Sequence, residues 1–313
     1  MKFACVIAVT LMFMGMTRPV RAQEIPQRYR DVLSELGKKG DYKDRVLKVG
    51  LPRNDLKVTV AGVETPTPFG FGGWVAMTSG GHGMEVMMGD LVLLQEEVNP
   101  VMSALLDNGL EVTALHNHFF WDEPHIYYMH VHGHGRATEL ARKLKPALGF
   151  LGKELPPETK QKNMQLNASQ TEMRLDTSLI AGVVKHKGER NGSVYKITIG
   201  RDDIRLREMG ALINARMGLN SWAAFTGSND SAAVAGDIAM LEGEVTPVLK
   251  ALRAHALNVV AIHHHMTGSR PMIIFLHYWG TGHADQLAAG FKAAIDQTGI
   301  RRAQRTRHSM QHR

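Results

Sequence analysis

Cysteine is nearly missing from this chain: Cys5 is the only one among 313 residues. It lies in the apolar run 3–16, so a mature chain starting near residue 23 would have none. Disulfides, thiolate zinc sites and cysteine nucleophiles are excluded together. A metal site would have to use nitrogen, oxygen or methionine sulfur. Long apolar runs are lacking too. The run 3–16 is too short for a membrane span and no later stretch is long enough, so no transmembrane segment is expected. No Ser-His-Asp arrangement, P-loop or dinucleotide fingerprint is present. The glycine-rich Phe69-Gly-Phe-Gly-Gly73 falls between strands and precedes no helix, which argues against phosphate binding. Acidic residues are absent from 300–313, which carries Arg301, Arg302, Arg305, Arg307 and Arg313. The formal charge of +7 therefore misleads, because without residues 1–22 and this tail the body carries −1. Basicity is a solvated tail rather than a face, and no interleaved aromatics suggest nucleic acid.

The amino end has the form of a cleavable secretory signal over 1–22. Lys2 precedes the apolar run, and Val20-Arg21-Ala22 offers small residues before Gln23. Export to the periplasm or beyond is expected. Cys5 lies too early to carry a lipid at the cleavage site.

What the chain has in abundance is histidine. Six of its sixteen histidines lie between residues 111 and 135. There, His116-Asn117-His118 and Tyr128-Met129-His130-Val131-His132 flank Asp122-Glu123-Pro124-His125, as in a β-hairpin with a medium loop. Alternate residues share a strand face, so His116, His118 and His130 gather on one side. The stretch returns without a gap 147 residues later, where His263, His265, Pro271 and His277 stand for His116, His118, Pro124 and His130.

The repeat runs through both halves. Gly40, Lys48, Arg53, Asp55, Gly70 and Trp74 match Gly188, Lys196, Arg201, Asp203, Gly218 and Trp222. Further on, Gly89-Asp90, Glu97, Pro100 and Val101 match Gly236-Asp237, Glu244, Pro247 and Val248. The expected domains are repeat one at 23–151 and repeat two at 176–299, joined by a polar linker at 152–175. Asn167-Ala-Ser169 in that linker is read as a chance sequon. Within each copy, Val98, Val101, Met102, Leu105 and Leu106 have the spacing of one buried helix face. Ala137, Leu140, Ala141, Leu144 and Leu148 do the same. Tyr29, Val32, Leu33 and Leu36 predict a first helix ended by Gly37, and strands are predicted at 45–51, 56–60, 73–78 and 85–94. Each copy thus ends ββαββα. The fold class is α+β, two tandem repeats of mostly antiparallel sheet with helices on one face, related by a pseudo-twofold.

Gly89-Asp90, Glu97-Val98-Asn99-Pro100-Val101-Met102, Ala114-Leu115-His116-Asn117-His118, Glu123-Pro124 and Met129-His130 together resemble the LppY/LpqO family of exported bacterial proteins. The resemblance covers nearly the whole mature chain. It implies the fold repeat and an exported location, but no activity or catalytic residue. The chain departs from that pattern by lacking a usable lipobox cysteine and by having His125 where an arginine usually follows the proline. In copy two, His264 replaces Asn117 and Arg270 stands where copy one has Glu123.

Neutral imidazole binds zinc, copper, nickel and iron, and three histidines with one open position describe a catalytic zinc site. The candidate metal ligands are His116, His118 and His130 in copy one and His263, His265 and His277 in copy two, with one ion expected per copy. Glu123 is the candidate base, or with Asp122 a fourth ligand, and copy two has no acid in its loop. Zinc is the first candidate and copper the second. His-x-His-x4-Glu also resembles part of a cupin motif, but the intervening helices argue against a jelly roll. Against the metal stands a metal-free alternative, a histidine-lined groove binding an anion or a cell-envelope polymer. His264, on the opposite strand face, and His134 and His283, near helix starts, are read as not binding metal. Trp74 and Trp222 are read as core anchors, and Met84, Met87 and Met88 beside His82 as packing rather than copper ligands. Asp90 and Asp237 could supply an acid, with a turn or cap role as the competing reading. Substrate, partner ligand and oligomeric state have no signal here.

Overall fold

The computed structural model describes residues 24–153 and 175–299. The expected signal at 1–22, nearly all of the linker and the basic tail lie outside the described residues. Repeat one contains α1 (Gln27–Leu36), β1 (Asp41–Lys43), β2 (Val46–Pro52), β3 (Val58–Val60), β4 (Val63–Thr65), β5 (Gly72–Ser79) and β6 (Glu85–Leu94). It continues with α2 (Gln95–Asp107), β7 (Glu111–His116), β8 (Asp122–Glu123), β9 (Ile126–Gly135) and α3 (Ala137–Leu148). Repeat two follows the same order: α4 (Thr177–Val184), β10 (Glu189–Asn191), β11 (Val194–Gly200), β12 (Leu206–Glu208), β13 (Ala211–Ile213), β14 (Asn220–Gly227) and β15 (Ala232–Leu241). Its remainder is α5 (Val245–Ala254), β16 (Asn258–His263), β17 (Ile273–Gly282) and α6 (Ala284–Ile295). Each repeat forms a six-stranded antiparallel sheet, ordered β1-β2-β5-β6-β9-β7 and β10-β11-β14-β15-β17-β16. The α+β class and the tandem repeat are as the sequence implies.

One face of each sheet takes the helices. In β6, Met87, Leu91 and Leu93 join Val101, Leu105, Leu140 and Leu144 in the helix-side core. The alternate residues Val86, Met88 and Val92 are equally buried. An antiparallel sheet with one wet face would show polar residues there; here a second layer covers that face, and it is the other repeat's sheet. Val46, Ala76, Val86 and Met88 pack with Leu206, Ile213, Met217, Ala239 and Phe275 in one cluster. Phe69, Phe71, Val92 and Phe119 pack with Ala224, Ala233, Ala235 and Trp279 in another. The layers run helix, sheet, sheet, helix.

Short arms lock the halves together. β12–β13 supplies Leu206, Ala211 and Ile213 to the mixed cluster, and Gly81 donates its N–H to Met209 O at 2.8 Å. Trp279 meets Phe69 and Phe119 edge-on, with centroids 5.8 and 5.6 Å apart.

A duplicated ion network fixes each sheet to its second helix. Arg53, 3% exposed, donates to Asp55, Glu97 and the Val92 carbonyl. Glu97 also accepts the N–H groups of Leu94 and Gly152, closing the start of α2. Arg201, Asp203, Glu244, Ala239, Leu241 and Gly299 repeat this pattern. The shared motif residues Arg, Asp and Glu are therefore structural.

An isolated half would expose its whole inter-sheet face. At roughly 1.5–3 kcal/mol per large apolar side chain, that loss exceeds the ~5–15 kcal/mol by which a domain is usually stable. Fragments 24–153 and 175–299, expressed singly, are expected to be aggregated or unfolded by circular dichroism and to become soluble on co-expression. A monomeric, cooperatively melting single half would show that the shared core is dispensable.

Candidate metal centre

Gly89 and Gly236 prepare the centre from below. A Cβ on Gly89 would fall 2.6 Å from Val75 Cγ1 and 2.9 Å from Trp74 O. At Gly236 it would fall 2.3 Å from Trp222 O, so neither position admits a side chain. The strands pass closely there, and the two glycine carbonyls lie 3.3 and 3.4 Å from Nδ1 of His130 and His277. A carbonyl only accepts, so Nδ1 of each ring carries the proton and Nε2 keeps its lone pair for the interior.

His116 and His263 end β7 and β16, and their rings stack across the pseudo-twofold with centroids 3.7 Å apart. On one side of this pair His118 lies 3.5 Å from His277, and on the other His265 lies 4.0 Å from His130. His118 is stacked on Tyr128 at 3.2 Å and His265 on Phe275 at 3.4 Å, which holds both loop histidines inward. All six predicted histidines thus meet in one place between the sheets. Sequence spacing suggests one ion within each hairpin, and the structure arranges the closest sets differently. His130, His263 and His265 bring ligand atoms within 4.8 Å of one another, as do His116, His263 and His277. The pseudo-twofold mate of the first set is His277, His116 and His118, in which Nε2 of His116 and His277 are 3.1 Å apart. Each of these two related sets takes two histidines from one hairpin and the long-strand histidine from the other repeat.

Donor chemistry fits a soft or borderline divalent cation. His116 Nδ1, both nitrogens of His118, and Nε2 of His130 and His263 are buried without a hydrogen-bond partner. Burial, and then the neighbouring rings, pushes His116, His118, His265 and His277 far below the usual imidazole value. Burial and His263 do the same to His130, and burial brings His263 itself down to about 4. All six rings are neutral near pH 7, the form that ligates metal.

Two acids and two lysines share the layer. Asp90 and Asp237 are mid-strand, opposite His130 and His277 in register, so neither is a turn or cap residue. Each has an unpartnered Oδ1, and Asp237 Oδ2 lies 3.8 Å from His265 Nε2. Burial raises Asp90 to about 8, against the pull of Lys48 and Lys196, and raises Asp237 well above the carboxylate range. Lys48 and Lys196, each lowered to about 8 by burial, lie over Trp74 and Trp222 at 4.4 and 3.9 Å. Strand alternation through Asp90 could have placed this group, but only with the covered face known.

Glu123 is elsewhere. It is exposed on β8, paired with Thr59. The buried acid of that loop is Asp122, which accepts the Ile126 N–H and faces His125 Nδ1 at 2.9 Å. His134, His264 and His283 are exposed, and His132 stands apart between Glu111 and Glu208. Met87 and Met88 fill opposite cores.

The family model described as Domain of Unknown Function (DUF1259) matches residues 30–149 and 178–297, and the chain belongs to that family. No curated protein matches. Among solved structures, EtuB from Clostridium kluyveri is similar at 9% identity, covering 83% of this chain and 90% of that one, with a TM-score of 0.20. The trimeric bacterial microcompartment shell protein PduB is similar at 11% identity, covering 82% and 90%, with a TM-score of 0.19. Likenesses this weak bear on neither fold nor function.

The lowered histidines make acid destabilising. Below about pH 6.5 the unfolded chain binds protons that the folded chain refuses, so stability falls as pH falls. Each such group contributes up to about 1.4 kcal/mol per pH unit. Chelator-treated protein is expected to lose thermal stability steeply from pH 6.5 to 5, and His116→Gln to lessen the slope. A flat melting temperature over that range would contradict the buried, neutral cluster.

Proposed function

We propose that this member of the DUF1259 family is an exported protein that binds a transition metal in one histidine centre built by both repeats. The observation that carries the reading is the convergence of six neutral imidazoles, four of which (His116, His118, His130 and His263) have a buried ring nitrogen without a hydrogen-bond partner. Stranding such nitrogens costs about 1–3 kcal/mol apiece, and a bound cation would give them a partner. Zinc is the first candidate, with copper second, since imidazole suits both. The export reading rests on the amino-terminal pattern and on the resemblance to the LppY/LpqO proteins.

Metal-dependent hydrolysis is the second reading, supported by three-histidine sets that leave a position for another ligand. When bound, the metal would supply Lewis acidity, and this chain would orient the rings through the Gly89 and Gly236 carbonyls. Glu123, exposed on its loop, is a weak base candidate beside the buried acids, so binding ranks above catalysis.

Elemental analysis of untagged protein after metal-replete growth tests the reading. One or two zinc-like ions per chain are expected, with His116→Ala and His130→Ala both depleted and Glu123→Gln loaded. Metal-free wild type, with His variants of unaltered stability, would leave the histidine-lined groove binder in its place.

Export is checked separately by intact mass of protein from the envelope fraction. The chain is expected to begin at Gln23 or within a residue or two, and a cytoplasmic chain retaining Met1 would overturn it.

A further inference from the structure

We propose that Asp90 and Asp237 are carboxylate ligands of the histidine centre, completing its three-histidine sets to His3Asp. This rests on the metal reading above.

Place and orientation support it first. Both acids sit in the middle of the central strands, on the face that meets the other sheet, beside a histidine whose Nε2 points inward. The Asp237 side chain is only 5% exposed, and its Oδ1 has no partner. Donors of a tetrahedral ion with bonds near 2.0–2.1 Å stand roughly 3.3 Å apart. Asp237 Oδ2 is 3.8 Å from His265 Nε2, too long for a hydrogen bond and within about half an ångström of that spacing. His265 belongs with His130 and His263, so Asp237 is assigned to that set and Asp90 to its pseudo-twofold mate.

Charge is the second support. Asp237 has backbone hydrogen bonds at Leu276 and Ile238, yet Oδ1 of each acid is left without a hydrogen-bond partner in this layer, which is costly. Lys48 and Lys196 attract the two acids electrostatically but form no ion pair with them among the described residues. Their ammonium groups stay on the indole faces. The acids are thus compensated at a distance, with Oδ1 of each left for another cation.

Duplication is the third. Lysine, tryptophan, glycine-aspartate and histidine recur together at Lys48, Trp74, Gly89-Asp90 and His130, and at Lys196, Trp222, Gly236-Asp237 and His277. The loop acid Glu123 is not duplicated, since Arg270 stands there. A set closed by four protein donors is the form of a structural or storage site rather than an open catalytic one. The proposal therefore favours binding over hydrolysis.

The full untagged chain loaded with cobalt(II) provides the test. Wild type is expected to show intense visible bands of tetrahedral cobalt. Asp237→Asn and Asp90→Asn should each weaken cobalt binding at least tenfold in chelator competition, with a shifted or weakened spectrum, while Asp237→Glu retains binding. Asparagine keeps the size and polarity of the acid it replaces, so the metal-free melting temperatures of these variants should stay close to that of wild type. If one does not fold, the other and Asp237→Glu still decide. Wild-type affinity and spectrum in both variants would overturn the assignment. So would weaker binding with an unchanged spectrum, which would place the acids behind the ligands. A wild type that takes up no cobalt would instead sink the metal reading itself.

Discussion

Both faces of both sheets must be dry, and the rest of the molecule follows from that constraint. Helices cover one face of each sheet, and among the described residues there are no further helices for the other. Each repeat therefore covers its partner, and the strands present small residues where the sheets approach: Ala233, Ala235 and Ala239 alternate around Asp237 along β15. Because the packing is pseudo-twofold, a feature near the axis in one repeat meets its own copy. His116 and His263 stack on each other for this reason. A hairpin bearing three histidines becomes half of a six-histidine centre without any new sequence.

This construction puts titratable groups in a layer that is buried or partly buried. The six rings surrender their protons to stay buried, two carboxylates are pushed toward neutrality, and two lysines toward the free amine. Replacing such groups by apolar ones of similar shape would often be neutral or stabilising. Fold stability alone gives no reason to place them there twice. The apolar clusters on either side carry the stability, and the polar layer between them draws on it. A cation preferring the folded centre would return part of that cost through linkage.

Much of the fold is legible in the sequence because its periodicities are local. The strand at 85–94 coincides with β6 residue for residue, the helix face Ala137, Leu140, Ala141, Leu144 and Leu148 falls on α3, and the repeat offset alone pairs every large element. The short β1, β4 and β8 carry too few residues for a pattern. At the centre, all six histidines are identifiable from duplication. Which of them meet is not, since hairpin spacing speaks only for contacts within one repeat, whereas the sets join His130 to His263 and His265. The same blindness affects the acids. Glu123 draws attention by standing in the histidine loop, yet β8 turns it to the surface. Asp90 follows a glycine, which suggests a turn until the covered sheet face explains why an acid points inward.

Divergence between the copies then becomes informative. At the centre itself, the two halves keep the same six histidines, two aspartates, two lysines and two tryptophans. Tyr128 stands against Phe275, each flat against a loop histidine, while the apolar clusters around the centre differ, as in Met88 against Ala235 and Phe119 against Met266. At the rim the copies differ freely: Asn117 against His264, Trp121 against Gly268, Glu123 against Arg270, His125 against Met272. Asn117 and Asp122 bond the copy-one loop to Ile126 and His125, whereas the loop of copy two has no acid to do so. A reaction centre would demand one correctly placed rim group and tolerate loss of symmetry within. The pattern here is the reverse, a symmetric polar centre with an unsymmetric edge. Such a pattern suits a function residing in what the two halves hold between them, with the loops governing access to it.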